Sequence, residues 1–258
     1  MLGDPVSHSL SPAIHAAALA AAGISGEYAA RRVDSEGMRR AVAEIRDGVL
    51  SGANVTMPHK GLAADLADRL EPRAMRARSV NTLWSEERSV LGDSTDIDGV
   101  VTAWGWAGLP EDAPVLVLGS GGAAAAAILA LEGRQLTVAA RRPERAEELL
   151  ATLGVDARVA PLDAPCPGAV VVNATPIGMH GEALPGEVVT AASGLFDMAY
   201  GSGPTPAVQL ARRLGLPVAE GPDMLLAQAA ASFTIWTGID PPLDEMRAAL
   251  VAGMGRSG

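Results

Sequence analysis

Cysteine is nearly absent from this chain of 258 residues: there is one, Cys166, so no internal disulfide can form. That fits a reducing compartment, and packing is the default role of a lone thiol. Aromatic residues are scarce, at 3%, while the hydrophobic fraction is 48%, much of it Ala, with 29 Gly besides. The expected core is therefore aliphatic and closely packed. No apolar run approaches membrane-spanning length, and no signal-peptide pattern is visible at the N-terminus. A cytoplasmic protein with no membrane partner is expected. A net charge of −10 argues against nucleic acid as a partner, because its phosphates would be repelled. A locally basic site stays compatible with that balance. Histidines, the cysteine and carboxylates nowhere take metal-ligand spacing, so no metal is expected. The length suits two modest domains or one large one.

What is present is a glycine-rich turn in mid-chain. Gly119-Ser120-Gly121-Gly122-Ala123-Ala124 follows the apolar run Val115–Leu118 and opens an Ala-rich stretch. About twenty residues on, a second apolar run, Leu136–Ala140, closes on Arg141 and Arg142. Strand, tight turn, helix and second strand in that order read as a dinucleotide-binding unit. Glycines let the backbone approach a pyrophosphate, and the helix N-terminus offers it unpaired N–H groups. An NAD-preferring unit usually ends its second strand in Asp or Glu to hold the ribose hydroxyls. Arginine there suits a 2′-phosphate instead, so NADP is the expected cofactor.

Along the chain, Ser11-Pro12 reads as a helix start, with Ser11 as the cap, and the helix stops at Gly23. Asp34 or Ser35 should cap a second helix ending near Gly48. Gly52 to Thr56 reads as a short buried strand. Pro58 should open a third helix carrying Leu62, Leu66 and Leu70 on one face, with Asp65 and Arg69 paired at i,i+4. Ser79–Trp84 and Val90-Leu91 suggest a hairpin turning at Glu86-Glu87-Arg88. After Asp96 the pattern alternates. Strands are expected at Val115–Leu118, Leu136–Ala140, Ala157–Ala160, Ala169–Asn173 and Leu195–Asp197. Helices are expected at Gly122–Leu131, Pro143–Leu153 and Pro206–Leu214. This alternation predicts a doubly wound parallel sheet. Gly201-Ser202-Gly203-Pro204 reads as a loop. Two helices, Met224–Gly238 and Leu243–Gly253, close the chain.

Several separated motifs then fall into one order. They are Gly3-Asp4-Pro5-Val6-Ser7-His8-Ser9-Leu10-Ser11-Pro12; Asn54-Val55-Thr56-Met57-Pro58-His59-Lys60; Val80-Asn81-Thr82; and Gly92-Asp93-Ser94-Thr95-Asp96. The glycine turn, Asn173-Ala174-Thr175-Pro176-Ile177-Gly178-Met179, Asp197-Met198-Ala199-Tyr200 and Met224-Leu225-Leu226-Ala227-Gln228 follow, ahead of Phe233 and Trp236-Thr237-Gly238. Over nearly its whole length the chain resembles the shikimate dehydrogenases. The resemblance implies an α/β protein of two domains. An N-terminal α/β substrate domain (1–96) would be completed by C-terminal helices (222–258) packing back on it. A Rossmann-type doubly wound parallel sheet (97–221) would bind NADP. The implied reaction is reversible NADPH-dependent reduction of 3-dehydroshikimate to shikimate, a step of chorismate and aromatic amino-acid biosynthesis. Monomer and homodimer both stay open.

The resemblance also assigns residues. Ser9 and Ser11 would hold the substrate carboxylate, which wants donors. Thr56, Asn81, Tyr200 and Gln228 would be further substrate contacts, and Asn54 would hold the lysine turn. Lys60 and Asp96 would handle the proton that ketone reduction requires. A first-turn position and partial burial both disfavour an extra cation, which suits Lys60 for proton exchange, while Asp96 would hold it in place. Which of the two gives up the proton is left open. Gly119, Gly121 and Gly122 would face the pyrophosphate and Arg141 the 2′-phosphate. Thr175, Met179 and Met224 would lie around adenosine and nicotinamide, with core packing the competing role for the methionines. His8, His15 and His59 stand near these motifs, with packing or capping as their expected part.

Two departures from the family pattern matter. The usual Asn-Arg-Thr after the second cofactor strand is Ala140-Arg141-Arg142 here, which exchanges an adenine neighbour for a second cation, and Arg142 should strengthen the phosphate grip. Only Met1 and Leu2 precede the Gly-Asp-Pro turn, where the family has a longer apolar strand. Lost ladder partners would result, and a start upstream of Met1 is the expectation drawn from it. Competing readings are a quinate- or NAD-using paralogue and a nucleotide-binding regulatory module without catalysis.

Overall fold

A computed structural model describes residues 1–255 except positions 8 and 202; His8 of the first motif, Ser202 of the predicted loop and residues 256–258 of the C-terminal segment lie outside the described residues. The chain forms two compact units. The first is Met1–Asp96 together with the segment from Gln228 onward, and the second is Ile97–Ala227.

The first unit begins with β1 (Leu2–Gly3), α1 (Ser11–Ala21), β2 (Arg31–Arg32) and α2 (Ser35–Arg46). It continues through β3 (Gly52–Asn54), α3 (Lys60–Leu66), β4 (Arg69–Leu70), α4 (Pro72–Ala77), β5 (Thr82–Glu86) and β6 (Ser89–Asp93). Asp34 caps α2 by accepting from Gly37 N at 2.7 Å. Met38, Ala41, Val42 and Ile45 recur at helical spacing and bury one face of α2. They pack with Leu2, Val55, Val80, Leu83 and Val90 in one aliphatic core. The four-stranded sheet runs β3-β5-β6-β4. The β5–β6 hairpin turns through Glu87 and Arg88, both at positive φ, the conformation a tight two-residue turn demands.

Three local expectations change. Ser11 does not cap α1: it lies inside the helix, Leu10 holds the cap position, and Ser9 Oγ accepts from Ser11 N at 3.2 Å. The third helix begins at Lys60 rather than Pro58 and ends at Leu66. Leu70 is drawn instead into β4, parallel to β6, so Asp65 and Arg69 do not share a helix face. Asp68 makes that exit, accepting from Val90 N at 2.7 Å and pairing with Arg46. Tertiary pairing overrode the leucine periodicity. At the N-terminus, Leu2 is bonded on both sides, by β2 and by a bridge to Val55, and Thr56 N donates to Leu2 O at 2.9 Å.

α5 (Thr95–Trp106) leads into the second unit. There follow β7 (Val115–Leu118), α6 (Gly122–Ala130), β8 (Leu136–Ala140), α7 (Pro143–Leu153), β9 (Arg158–Pro161), β10 (Val170–Asn173), α8 (Gly186–Thr190), β11 (Gly194–Asp197), α9 (Pro206–Arg213) and β12 (Val218–Glu220). All six strands are parallel, in the order β12-β11-β10-β7-β8-β9. This is the doubly wound arrangement, with its change of direction between β7 and β10. Continuous apolar strands such as Val115–Leu118 and Val170–Asn173 are buried throughout, as a sheet covered on both faces requires. One core cluster holds Val117, Ile128, Val138 and Phe196; another holds Leu116, Val171, Leu195 and Val208. Short α8 and β12 carried too little pattern to be expected. The chain ends in α10 (Gly221–Thr237) and α11 (Leu243–Met254), and α11 packs on α1.

Candidate functional site

In the first unit the structure brings the expected proton pair together. Lys60 is the first residue of α3 and Asp96 the second of α5, and Lys60 Nζ lies 2.6 Å from Asp96 Oδ2. The ammonium keeps 25% side-chain exposure and the carboxylate 6%. A buried carboxylate with a direct cationic partner, one side of which still reaches solvent, can hold and exchange a proton. Lys60 is also the only lysine in the sequence. Every other basic side chain apart from the four histidines is arginine, which stays protonated in proteins. That signal was legible without a structure.

Asn81 and Gln228 also meet, with Asn81 Nδ2 donating to Gln228 Oε1 at 3.2 Å. Asn81 follows directly on the buried Val80 and is itself buried. Its main chain is set by three bonds: Asn81 N donates to Asp93 O, and Val55 N and Asn54 Nδ2 both donate to Asn81 O. Ser9 is half-buried and Ser11 buried at the start of α1, while Thr56 packs its methyl against Gly3. A Cβ at position 3 would lie 2.3 Å from that methyl, so only glycine fits. Among the described residues no hydrogen bond links the side chains of Ser9, Ser11 or Thr56 to the two pairs.

Behind Asn81 lies a polar cluster that the motifs did not disclose. The hydroxyls of Thr82, Thr95 and Ser232 form a triangle with sides of 3.0–3.1 Å, and all three residues are completely buried. Asn54 Nδ2 donates toward Thr82 and Ser232, and Tyr28 OH donates to Asn54 Oδ1 at 2.7 Å. Tyr28 stacks on His15 with centroids 4.2 Å apart, and Trp236 tilts against both rings. Burial pushes the Tyr28 phenol up, and burial followed by the N-terminal ammonium pulls the His15 imidazole down to about 3. The available signal was polar residues standing in apolar runs, which marked Asn54, Thr56 and Asn81 but not Thr82, Thr95, Ser232 or Tyr28.

In the second unit Gly119 directly follows β7 at the sheet's change of direction. Its φ is +119°, and a Cβ there would lie 2.9 Å from the carbonyl oxygen of Ala174, just beyond β10. Gly121 is the extended N-cap of α6, and no side chain caps that helix. The helix therefore keeps its first N–H groups for an anion. Gly122 opens the helix. Arg141 and Arg142 follow β8 directly, both exposed, and neither forms an ion pair among the described residues. Asn173 fixes the next loop: its Oδ1 accepts from Thr175 N and Oγ1, and its Nδ2 donates to Asp197 Oδ1 at 2.8 Å. Asp197 is fully buried, forms no ion pair among the described residues, and accepts further bonds from Thr205 and Ala199 N. Burial raises its carboxyl pKa against those three donors. Met179 is exposed, whereas Met224 packs into the core beside Met198. Tyr200 packs closely against Gly221.

The arrangement of glycine cradle, uncapped helix and free arginines fits a phosphorylated dinucleotide. No helix of the described residues is long and apolar enough to cross a membrane, and no metal-binding group of His, Cys and carboxylates occurs among them.

The sequence matches the family described as the shikimate dehydrogenase substrate binding domain over residues 1–83, and the shikimate 5′-dehydrogenase C-terminal domain over residues 221–251. It is 40% identical to the shikimate dehydrogenase (NADP(+)) of Cupriavidus necator, over 98% of this chain and 94% of that one. The crystal structure of shikimate 5-dehydrogenase from Thermus thermophilus in complex with NADP(H) and shikimate superposes with a TM-score of 0.90. That pair is 35% identical, with 98% of this chain and 97% of that chain covered. Shikimate 5-dehydrogenase from Listeria monocytogenes, solved with shikimate and NAD, gives a TM-score of 0.85 at 26% identity, over 96% and 94% of the two chains.

Proposed function

The chain belongs to the shikimate dehydrogenase family, and from that premise we propose that it catalyses the reversible NADPH-dependent reduction of 3-dehydroshikimate to shikimate, in aromatic amino-acid biosynthesis. The observation that carries the reading is the single lysine of the chain, 2.6 Å from a buried aspartate.

Residues 1–96 with the C-terminal helices form the substrate domain, and residues 97–221 the NADP domain. NADPH, when bound, supplies the hydride for the carbonyl carbon. The Lys60–Asp96 pair supplies the proton for the carbonyl oxygen, and in the reverse direction takes it from the hydroxyl. Ser9 and Ser11 offer hydroxyls to the carboxylate. Thr56, Asn81, Gln228 and Tyr200 meet the remaining oxygens. Gly119, Gly121 and Gly122 let the pyrophosphate approach the backbone. Arg141 binds the 2′-phosphate with Arg142 beside it, and Thr175, Met179 and Met224 line the rest of the cofactor. A cytoplasmic setting accords with the single free thiol, Cys166.

The test is the initial rate of NADP⁺ reduction with shikimate, run beside NAD⁺ and beside quinate. A rate confined to shikimate and NADP⁺, and lost in Lys60→Ala, supports the reading. Tight NADPH binding with no shikimate-dependent rate would reduce the chain to a nucleotide-binding module. A faster rate with quinate or with NAD⁺ would make it a paralogue of different specificity.

A further inference from the structure

Asn81 cannot present its amide either way round. Thr95 N is a main-chain donor and can only donate, and it lies 2.7 Å from Asn81 Oδ1. The carbonyl of the amide therefore faces Thr95, and its nitrogen faces Gln228, whose own carbonyl oxygen accepts. The pair is left with N–H groups to spare, so a ligand oxygen set against it meets donors.

The orientation is held from behind. Thr82 Oγ1 and Thr95 Oγ1 each lie 3.1 Å from Asn81 Oδ1 and donate to it. Thr82 Oγ1 also stands 3.1 Å from Asn54 Nδ2, 3.0 Å from Ser232 Oγ and 3.1 Å from Thr95 Oγ1. Ser232 Oγ in turn donates to the main-chain oxygen of Gln228 at 2.9 Å. Each hydroxyl has one proton, so Thr82 donates to Asn81 and accepts from Asn54 Nδ2, and it reaches the pair through Asn81. Thr82 is completely buried, so water cannot replace it, and it touches no ligand itself.

We propose that Thr82 is a positioning residue: its buried hydroxyl, donating to Asn81 Oδ1, fixes the amide of Asn81 and through it the Asn81–Gln228 pair as a donor that selects substrate oxygens acting as acceptors. The inference rests on the reading of Asn81 and Gln228 as substrate contacts.

The experiment compares the parent enzyme with Thr82→Val, which keeps the shape and loses the hydroxyl, and with Thr82→Ser, which keeps the hydroxyl. Steady-state constants for shikimate and NADP⁺ are measured on each. Thr82→Val should raise the shikimate KM by about five- to tenfold, the scale of one lost hydrogen bond. It should leave the NADP⁺ KM unchanged, and Thr82→Ser should restore the parent value. In an Asn81→Ala background the Thr82→Val effect on shikimate KM should vanish, because a residue acting through Asn81 has nothing left to position. Loss of thermal stability alone, with shikimate KM equal to the parent's, overturns the proposal. So does an undiminished effect in the Asn81→Ala background. Should Thr82→Val fail to fold, Thr95→Val, which removes the other hydroxyl donating to Asn81 Oδ1, decides by the same KM criterion. A parent enzyme with no shikimate-dependent rate refutes the functional reading, and this inference with it; an active parent with an indifferent Thr82→Val refutes the inference alone.

Discussion

Lys60 and Asp96, 36 positions apart in sequence, meet with Nζ 2.6 Å from Oδ2, and no other lysine exists to substitute for this one. Lys60→Arg keeps the charge and can keep an ion pair with Asp96, but a guanidinium does not release its proton. We predict a fall in kcat of roughly 10²–10⁴-fold, the usual worth of a positioned acid or base, with the fold intact. A variant retaining near-parental kcat would remove Lys60 from proton transfer. An amine-directed acylating reagent offers an independent check. It should inactivate through Lys60, shikimate should protect, and peptide mass analysis should find that side chain modified.

Gly119→Ala tests the cofactor cradle. At φ +119° an alanine is strained, and its Cβ would meet the Ala174 carbonyl at 2.9 Å. Stability should fall by roughly 1–3 kcal/mol. The NADP⁺ KM should rise at least about tenfold if the backbone turn contacts the pyrophosphate, a contact of the charge-assisted kind. Unfolding midpoints together with cofactor KM separate the two effects; an unchanged KM would place the dinucleotide elsewhere.

We predict that Arg141 and Arg142 divide the cofactor preference between them. Neither forms an ion pair in the described structure, so each guanidinium is at liberty to take a phosphate. Arg141→Ala should cut kcat/KM for NADP⁺ by roughly 10–100-fold, the scale of a lost charge-assisted bond, and leave NAD⁺ nearly unaffected. Arg142→Ala should cut it less. Parental preference for NAD⁺ over NADP⁺ would contradict the reading of both.

His15 makes stability depend on acid. Its pKa falls from the usual 6.5 to about 3 in the folded protein, first through burial and then through the N-terminal ammonium. The unfolded chain therefore binds a proton that the native chain refuses throughout that interval. Stability contributed by the neutral ring is full above pH 6.5 and is lost as pH falls toward 3. The slope from this group approaches about 1.4 kcal/mol per pH unit. His15→Phe keeps an aromatic ring on Tyr28 and should flatten that part of the acid limb in a thermal-melt series. An acid limb identical to the parent's would show that His15 is not the group.

Much of this was written in the chain itself. Val115–Leu118, the turn at Gly119 and the run Leu136–Ala140 marked out strand, cradle and strand, because apolar runs bounded by glycine and arginine leave few alternatives. Asp34 announced its helix by the one chemistry that caps it. The ordered motifs pointed to the chemistry. Other features depended on partners distant in sequence or on local geometry that propensity does not show. Leu70 left its helical stripe because β6 offered a strand to pair with, and Ser11 lost the cap position because the helix begins one residue earlier, with Leu10 O accepting from Ile14 N. The hydroxyl triangle needs Ser232 brought to Thr82 across 150 positions, which no local pattern encodes. Local propensity and periodicity are properties of neighbours in sequence, so the sequence by itself determined the elements and the reactive residue types. Burial and hydrogen-bond direction are properties of neighbours in space, so only the tertiary structure decided which way each amide faces and which carboxylate meets the lysine.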